Sequence, residues 1–139
     1  MICTLHSDRY KIFLDILQYS KKNQLKFKYH IYVKNYVLLI YLYLKYFLTN
    51  RILLDLSYIS TKKLNHKDIN DLYNKTVAVI DINHTNQNGL TNRSFEVLAS
   101  GAKLITSNSN IKSYDFYDKS MIYVFERDNF KVPTNFISN

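Results

Sequence analysis

The chain has 139 residues, 47% hydrophobic and 15% aromatic, enough for one domain with a buried core and too apolar for a disordered segment. Its formal charge is +8, yet residues 1–75 hold thirteen Lys and Arg against five Asp and Glu, while residues 76–139 hold six of each. No RNP run or zinc-finger spacing accompanies the excess, so a nucleic-acid partner is not expected. The single cysteine, Cys3, excludes an intrachain disulfide and a cysteine metal centre.

The opening run MICTLHS lacks the charged-then-apolar pattern of a signal peptide and reads as a strand, so a cytoplasmic protein is expected. Ser7 or Asp8 then caps a helix to about Lys22, with Tyr10, Phe13, Ile16, Leu17 and Ser20 at helical spacing. LKFKYHIYVK, 25–34, alternates with period two and predicts a strand with one buried face. YVLLIYLYLKYFL, 36–48, is thirteen residues with Lys45 inside and Lys34 and Arg51 close by. That falls short of the about twenty apolar residues of a spanning helix and predicts a buried or interfacial one, whose tyrosines suit peripheral contact with a membrane.

ILLDLSYIS, 52–60, fits a helix end or a short strand equally well. From Asn65 or His66 the polar helix HKDINDLYNK packs through Ile69, Leu72 and Tyr73. TVAVIDI, 76–82, is an unbroken β-branched run and predicts a central strand covered on both faces. A loop at 83–90, a helix from about Thr91 to Ser100, a turn at Gly101 and a strand KLIT at 103–106 follow. A turn or short helix around 111–116 leads to a last strand, MIYVF, 121–125, and the tail NFKVPTNFISN shows no final helix. The alternation predicts an α/β fold, a Rossmann-like, mostly parallel sheet with helices on both faces, as one domain over residues 1–139.

Only two glycines, Gly89 and Gly101, occur where average usage gives about ten, and both lie in QNGLTNRSFEVLASGAKLITSN, 87–108. In an open α/β sheet this loop and helix N-terminus lie beyond the carboxyl end of a strand, where ligands bind. Gly89 would supply a special backbone angle or a close approach, and Gly101 would end the helix in a left-handed conformation. Arg93 stands in the first helical turn, where the dipole disfavours a cation unless an anion is expected between them. The expected site is therefore a phosphate or diphosphate held by the backbone of Asn88, Gly89, Leu90, Thr91 and Asn92 and by Arg93. Glu96, three residues on, would accept hydrogen bonds from sugar hydroxyls.

The run GLTNRSFEVLASGAKLITSN resembles the donor-binding segment of GT-B glycosyltransferases, among them bacterial lipopolysaccharide and capsule biosynthesis proteins and the CgeB-like group. The likeness covers roughly residues 77–125, with weaker similarity back to Asp8 and Arg9. It implies that Glu96 contacts the ribose or donor sugar, that Arg93 lies near the diphosphate, and that Gly89 and Leu90 flank the donor. It also implies transfer from a nucleoside diphosphate sugar to a glycan or lipid-linked acceptor, without a cofactor or an active-site metal. Because a GT-B enzyme has two Rossmann-like domains, this chain would be the C-terminal half, and an acceptor-domain partner chain is implied. Eight residues before Glu96 stands Asn88 instead of a second glutamate, so retention or inversion is left open.

The competing reading is a non-catalytic Rossmann-like interaction or regulatory module. Asp81 and His84 are weaker candidates for an acid-base or ligand pair, and His6, His30 and His66 show no ligand spacing. Asp115, Asp118, Glu126 and Asp128 are expected to be solvated. P-loop, GxGxxG, HExxH and nucleophile-elbow motifs are absent.

Overall fold

A computed structural model describes residues 1–5 and 8–138, apart from the side chains of Asn50 and Ser138. The expected helix cap at Ser7 and the expectation for His6 fall outside the described residues.

Six strands and five helices occur among the described residues, alternating up to β5, after which a 3-10 turn at Ser109–Ser113 takes a helix's place: β1 (Ile2–Thr4), α1 (Arg9–Lys22), β2 (His30–Tyr32), α2 (Tyr36–Asn50), β3 (Ile59–Ser60), α3 (His66–Asn74), β4 (Ala78–Asp81), α4 (Asn92–Ala99), β5 (Lys103–Thr106), β6 (Ile122–Val124) and α5 (Thr134–Ser138). All strand pairs are parallel, in two three-stranded ladders ordered β1-β2-β3 and β4-β5-β6. β1 also runs beside β4, with Cα atoms within 8 Å. Across the molecule the strands therefore read β3-β2-β1-β4-β5-β6, the doubly wound Rossmann order, with the hydrogen-bonded ladder interrupted at a β1/β4 seam.

Both faces are covered, as a parallel sheet requires. α1 and α2 pack Tyr10, Phe13, Leu42 and Tyr46 on Cys3, Leu5, Ile31 and Val33. The other side of α1, through Ile12 and Ile16, meets Ile80, Ile82 and Ile105 with Phe125, Phe130 and α5. α3 and α4 pack Tyr73 and Val97 on Val79, Leu104 and Ile122. Val79 and Ile80 are successive residues of one strand serving opposite layers, which is why TVAVIDI shows no alternation.

Two expectations are corrected and one left open is settled. The predicted strand 25–34 is reduced to His30–Tyr32, because β1 starts only at Ile2 and pairs from His30 onward. The segment 52–60, left open between a helix end and a short strand, resolves into a 3-10 turn at Leu56–Tyr58 and the two-residue strand Ile59–Ser60. The tail forms the short helix α5 directly after Pro133, and Lys103 Nζ ties its Phe136 carbonyl at 2.9 Å. α1 begins after Asp8, which makes no side-chain cap bond.

Candidate functional site

At the carboxyl ends of the strands the connecting segments are joined by polar side chains. Asn108, after β5, donates from Nδ2 to the Gly89 carbonyl at 3.0 Å, and Asn110 Nδ2 donates to the Asn88 carbonyl at 2.9 Å. Asn83 Nδ2 donates to the Gln87 carbonyl at 3.1 Å, closing the loop on itself. The 83–91 loop is thus held against the β5 edge through its carbonyl oxygens.

Beneath the loop lies Asp81, the last residue of β4, only 2% exposed. Thr91 Oγ1 donates to its Oδ2 at 2.9 Å, and Ser94 Oγ stands 3.4 Å from the same oxygen. Thr91 Oγ1 also accepts from the Ser94 amide, capping α4. Arg93 Nη1 is 3.4 Å from Asp81 Oδ1 and donates to the Ile2 carbonyl in β1. A buried carboxylate requires such donors, and here Arg93 also bridges the seam to β1.

Two further guanidiniums reach the same end of the seam. Arg127, two residues beyond the core residue Phe125, grips Asp8 with both branches, Nε to Oδ2 at 2.9 Å and Nη2 to Oδ1 at 2.6 Å. Its Nη1 donates to the Asn83 carbonyl at 3.1 Å, Asn83 Oδ1 at 3.0 Å and Ser107 Oγ at 3.0 Å. Arg9, opening α1, donates from Nη1 to the Thr4 carbonyl at 3.3 Å, while its Nε is buried and has no hydrogen-bond partner among the described residues. Burial lowers the Arg9 pKa most; Cys3 and Asp81 oppose that shift, and the fields of Arg93 and Arg127 add to it. Three guanidiniums therefore meet two carboxylates, Asp8 and Asp81, where the strand order reverses. An open α/β sheet has its ligand crevice at this position, and the partly desolvated side chains gathered there carry a net positive charge suited to an anion.

The sequence-predicted residues divide into two groups. Asn88, Gly89 and Leu90 lie in the clamped loop, Thr91 caps α4, and Asn92 begins it. Arg93 points inward to the seam, away from the place the sequence reading expected, and Glu96 is exposed on α4. Gly101 has φ +77° and ends α4 in the left-handed region, as expected. Gly89 does not have a left-handed φ, and a Cβ there would meet nothing within 4 Å, so no protein contact requires glycine at that position. His84 is part of the loop and accepts at Nδ1 from the Asn86 amide at 3.2 Å. Asp115, Asp118, Glu126 and Asp128 are exposed. Arg127 escaped sequence reasoning because ERDN at 126–129 looks like a solvated turn; its position just after a strand was the one available signal.

A cavity of about 820 Å³ opens at the opposite, amino-terminal edge, between Met1, Phe27, Tyr73, Val77 and Ile80. Its lining is mainly apolar and holds none of the crevice arginines. No cluster of His, Cys, Asp and Glu suited to a metal occurs among the described residues. Nor is any helix among them long and apolar enough to cross a membrane.

Fold and crevice define the class, an α/β protein with Rossmann-like strand order and a polar site at its switch point. Comparison with protein-family models, with curated proteins and with solved structures finds no match to the chain.

Proposed function

We propose that the chain is the donor-binding half of a cytoplasmic GT-B type glycosyltransferase, taking a nucleoside diphosphate sugar for bacterial lipopolysaccharide or capsule synthesis. The observation that carries this reading is the convergence of Arg9, Arg93 and Arg127 at the carboxyl end of the β1/β4 seam, with Arg9 Nε buried and without a hydrogen-bond partner among the described residues. The resemblance of residues 77–125 to donor-binding segments supplies the sugar nucleotide. The diphosphate lies across the mouth of the seam, within reach of the arginines and the first amides of α4, and Glu96 meets sugar hydroxyls. Fixed guanidiniums and helix amides would stabilise the charge that develops on the departing diphosphate. The acceptor is a glycan or lipid-linked sugar held by a second domain or partner chain.

A non-catalytic Rossmann-like module is the second reading, favoured by the internal engagement of Thr91 and Arg93 on Asp81 and Ile2. Calorimetric titration with UDP, GDP, CDP and their sugars separates the two. The donor reading expects binding to one nucleotide, weakened about tenfold or more, or ~1.4 kcal/mol, by Arg9→Gln in a folded variant. A folded chain that binds none of them at millimolar concentration removes the donor reading and leaves the module.

A further inference from the structure

α2 is apolar over most of its circumference, Lys45, Thr49 and Asn50 being its polar residues apart from the tyrosines, but only part of the apolar surface meets the core. Leu42 and Tyr46 are buried, and Leu39 and Tyr43 pack beside them. On the outward side Tyr36, Val37, Ile40, Tyr41, Leu44 and Leu48 are all exposed, Val37 at 78% and Leu48 at 76%. At about 100° per residue these six span an unbroken arc of roughly 140°. A helix in water normally turns charged and polar residues outward, and so large an apolar face marks a surface that something covers.

The surrounding charge indicates what covers it. Lys34 precedes the helix, Lys45 borders the arc, and Arg51 ends the helix with φ +52°; all three are exposed. From Lys21 to Lys67 there are ten Lys and Arg and one acid, Asp55. The helix itself contains no Asp or Glu. Its 15 residues reach about 22 Å, short of the ~30 Å hydrocarbon core, so it can lie in a bilayer surface but not span one. Tyr36 and Tyr41 can insert their rings while their hydroxyls stay at the headgroups.

We propose that the outward face of α2 is an interfacial anchor for an anionic bilayer, its apolar arc entering the acyl boundary and Lys34, Lys45 and Arg51 meeting lipid phosphates. Because α2 starts just beyond β2, its N-terminal end lies at the same carboxyl edge as the crevice. The anchor rests on α2 alone and stands whether or not the crevice binds a nucleotide.

The test is co-sedimentation of the chain with vesicles of phosphatidylcholine alone and of phosphatidylcholine with phosphatidylglycerol, at low and high salt. Binding is expected only to the anionic vesicles, weakening as salt rises. Lys34→Gln, Lys45→Gln and Arg51→Asn together should weaken it about a hundredfold. Ile40→Ser with Leu48→Ser should abolish it with the circular dichroism spectrum and melting temperature retained. The chain has no tryptophan, so Leu48→Trp reports insertion directly, and its emission should shift to the blue with anionic vesicles. Failure of the folded chain to bind anionic vesicles overturns the proposal, as does binding that the Ile40 and Leu48 substitutions leave unchanged. A dimer in sedimentation velocity, dispersed by those same substitutions without lipid, would also overturn it by identifying a second copy as the occupant.

Discussion

Gly101 and Gly89 answer to different demands. At φ +77°, Gly101→Ala places a Cβ in the left-handed region and is expected to cost about 1–2 kcal/mol in urea unfolding. Gly89→Ala meets open space and should change stability by less than about 0.5 kcal/mol. If the loop lies against a donor phosphate, Gly89→Ala will nevertheless lower nucleotide affinity, which the same protein sample can report by calorimetry. Tyr46 provides a pH test. Burial first, and the field of Asp8 second, push its phenol up to about 12, so the folded state keeps a proton that the unfolded chain gives up near pH 10. That contribution is full below pH 10 and lost as pH rises toward 12. Tyr46→Phe should therefore flatten the fall in melting temperature across that window; an unchanged slope would contradict the assignment. The glycine that ends α4 was legible in the sequence because a left-handed cap has a residue signature. The inward turn of Arg93 was not, because its carbonyl acceptor at Ile2 lies ninety-one positions away and has no side-chain signature.

Most helices and the β4-α4-β5 unit could be read directly, since Asn35, Asn65 and Thr91 cap their helices through their side chains as sequence-local signals. Thr91 does more, donating to Asp81 as well, so Thr91→Ala should cost more than an ordinary cap, about 2 kcal/mol, with Thr91→Ser recovering most of it in urea unfolding. The elements that were misjudged depend on distant partners. Leu25–Tyr29 has the period of a strand, but the ladder with β1 runs only over His30–Tyr32, extended by the Met1 amino group, which donates to the Lys28 carbonyl at 2.8 Å. α5 was missed because Pro133 reads as a terminator when nothing marks the docking of Phe136 on Tyr123 and Lys103. α2 was recognised as a helix too short to span a bilayer, while the extent of its uncovered face emerges only when the core side is known.

For the whole molecule, alternating elements made a mostly parallel sheet legible, but neither the strand order β3-β2-β1-β4-β5-β6 nor the break in hydrogen bonding between β1 and β4. The seam is bridged instead by Arg93, between Asp81 and Ile2, and its carboxyl end by Arg127, between Asp8 and Asn83. Asp8 and Arg127 are 119 residues apart, and no local pattern links them. Removing the buried charge should disturb the whole fold. Asp81→Ala strands Arg93 and is expected to lower unfolding free energy on the order of 3 kcal/mol, reduced somewhat because the Arg93 side chain is 28% exposed.

The central claim is that the crevice at the carboxyl end of this seam holds the diphosphate of a nucleotide. Two-dimensional NMR of the isotope-labelled 16.6 kDa chain, titrated with the nucleoside diphosphates, tests it most directly. The account predicts saturable shifts in the backbone amides of residues 88–93 and in the side-chain Nε–H signals of Arg9 and Arg127, with the signals of α2 unmoved. Shifts confined to the amino-terminal cavity around Phe27 and Tyr73, or no shifts with any nucleotide at millimolar concentration, would contradict it.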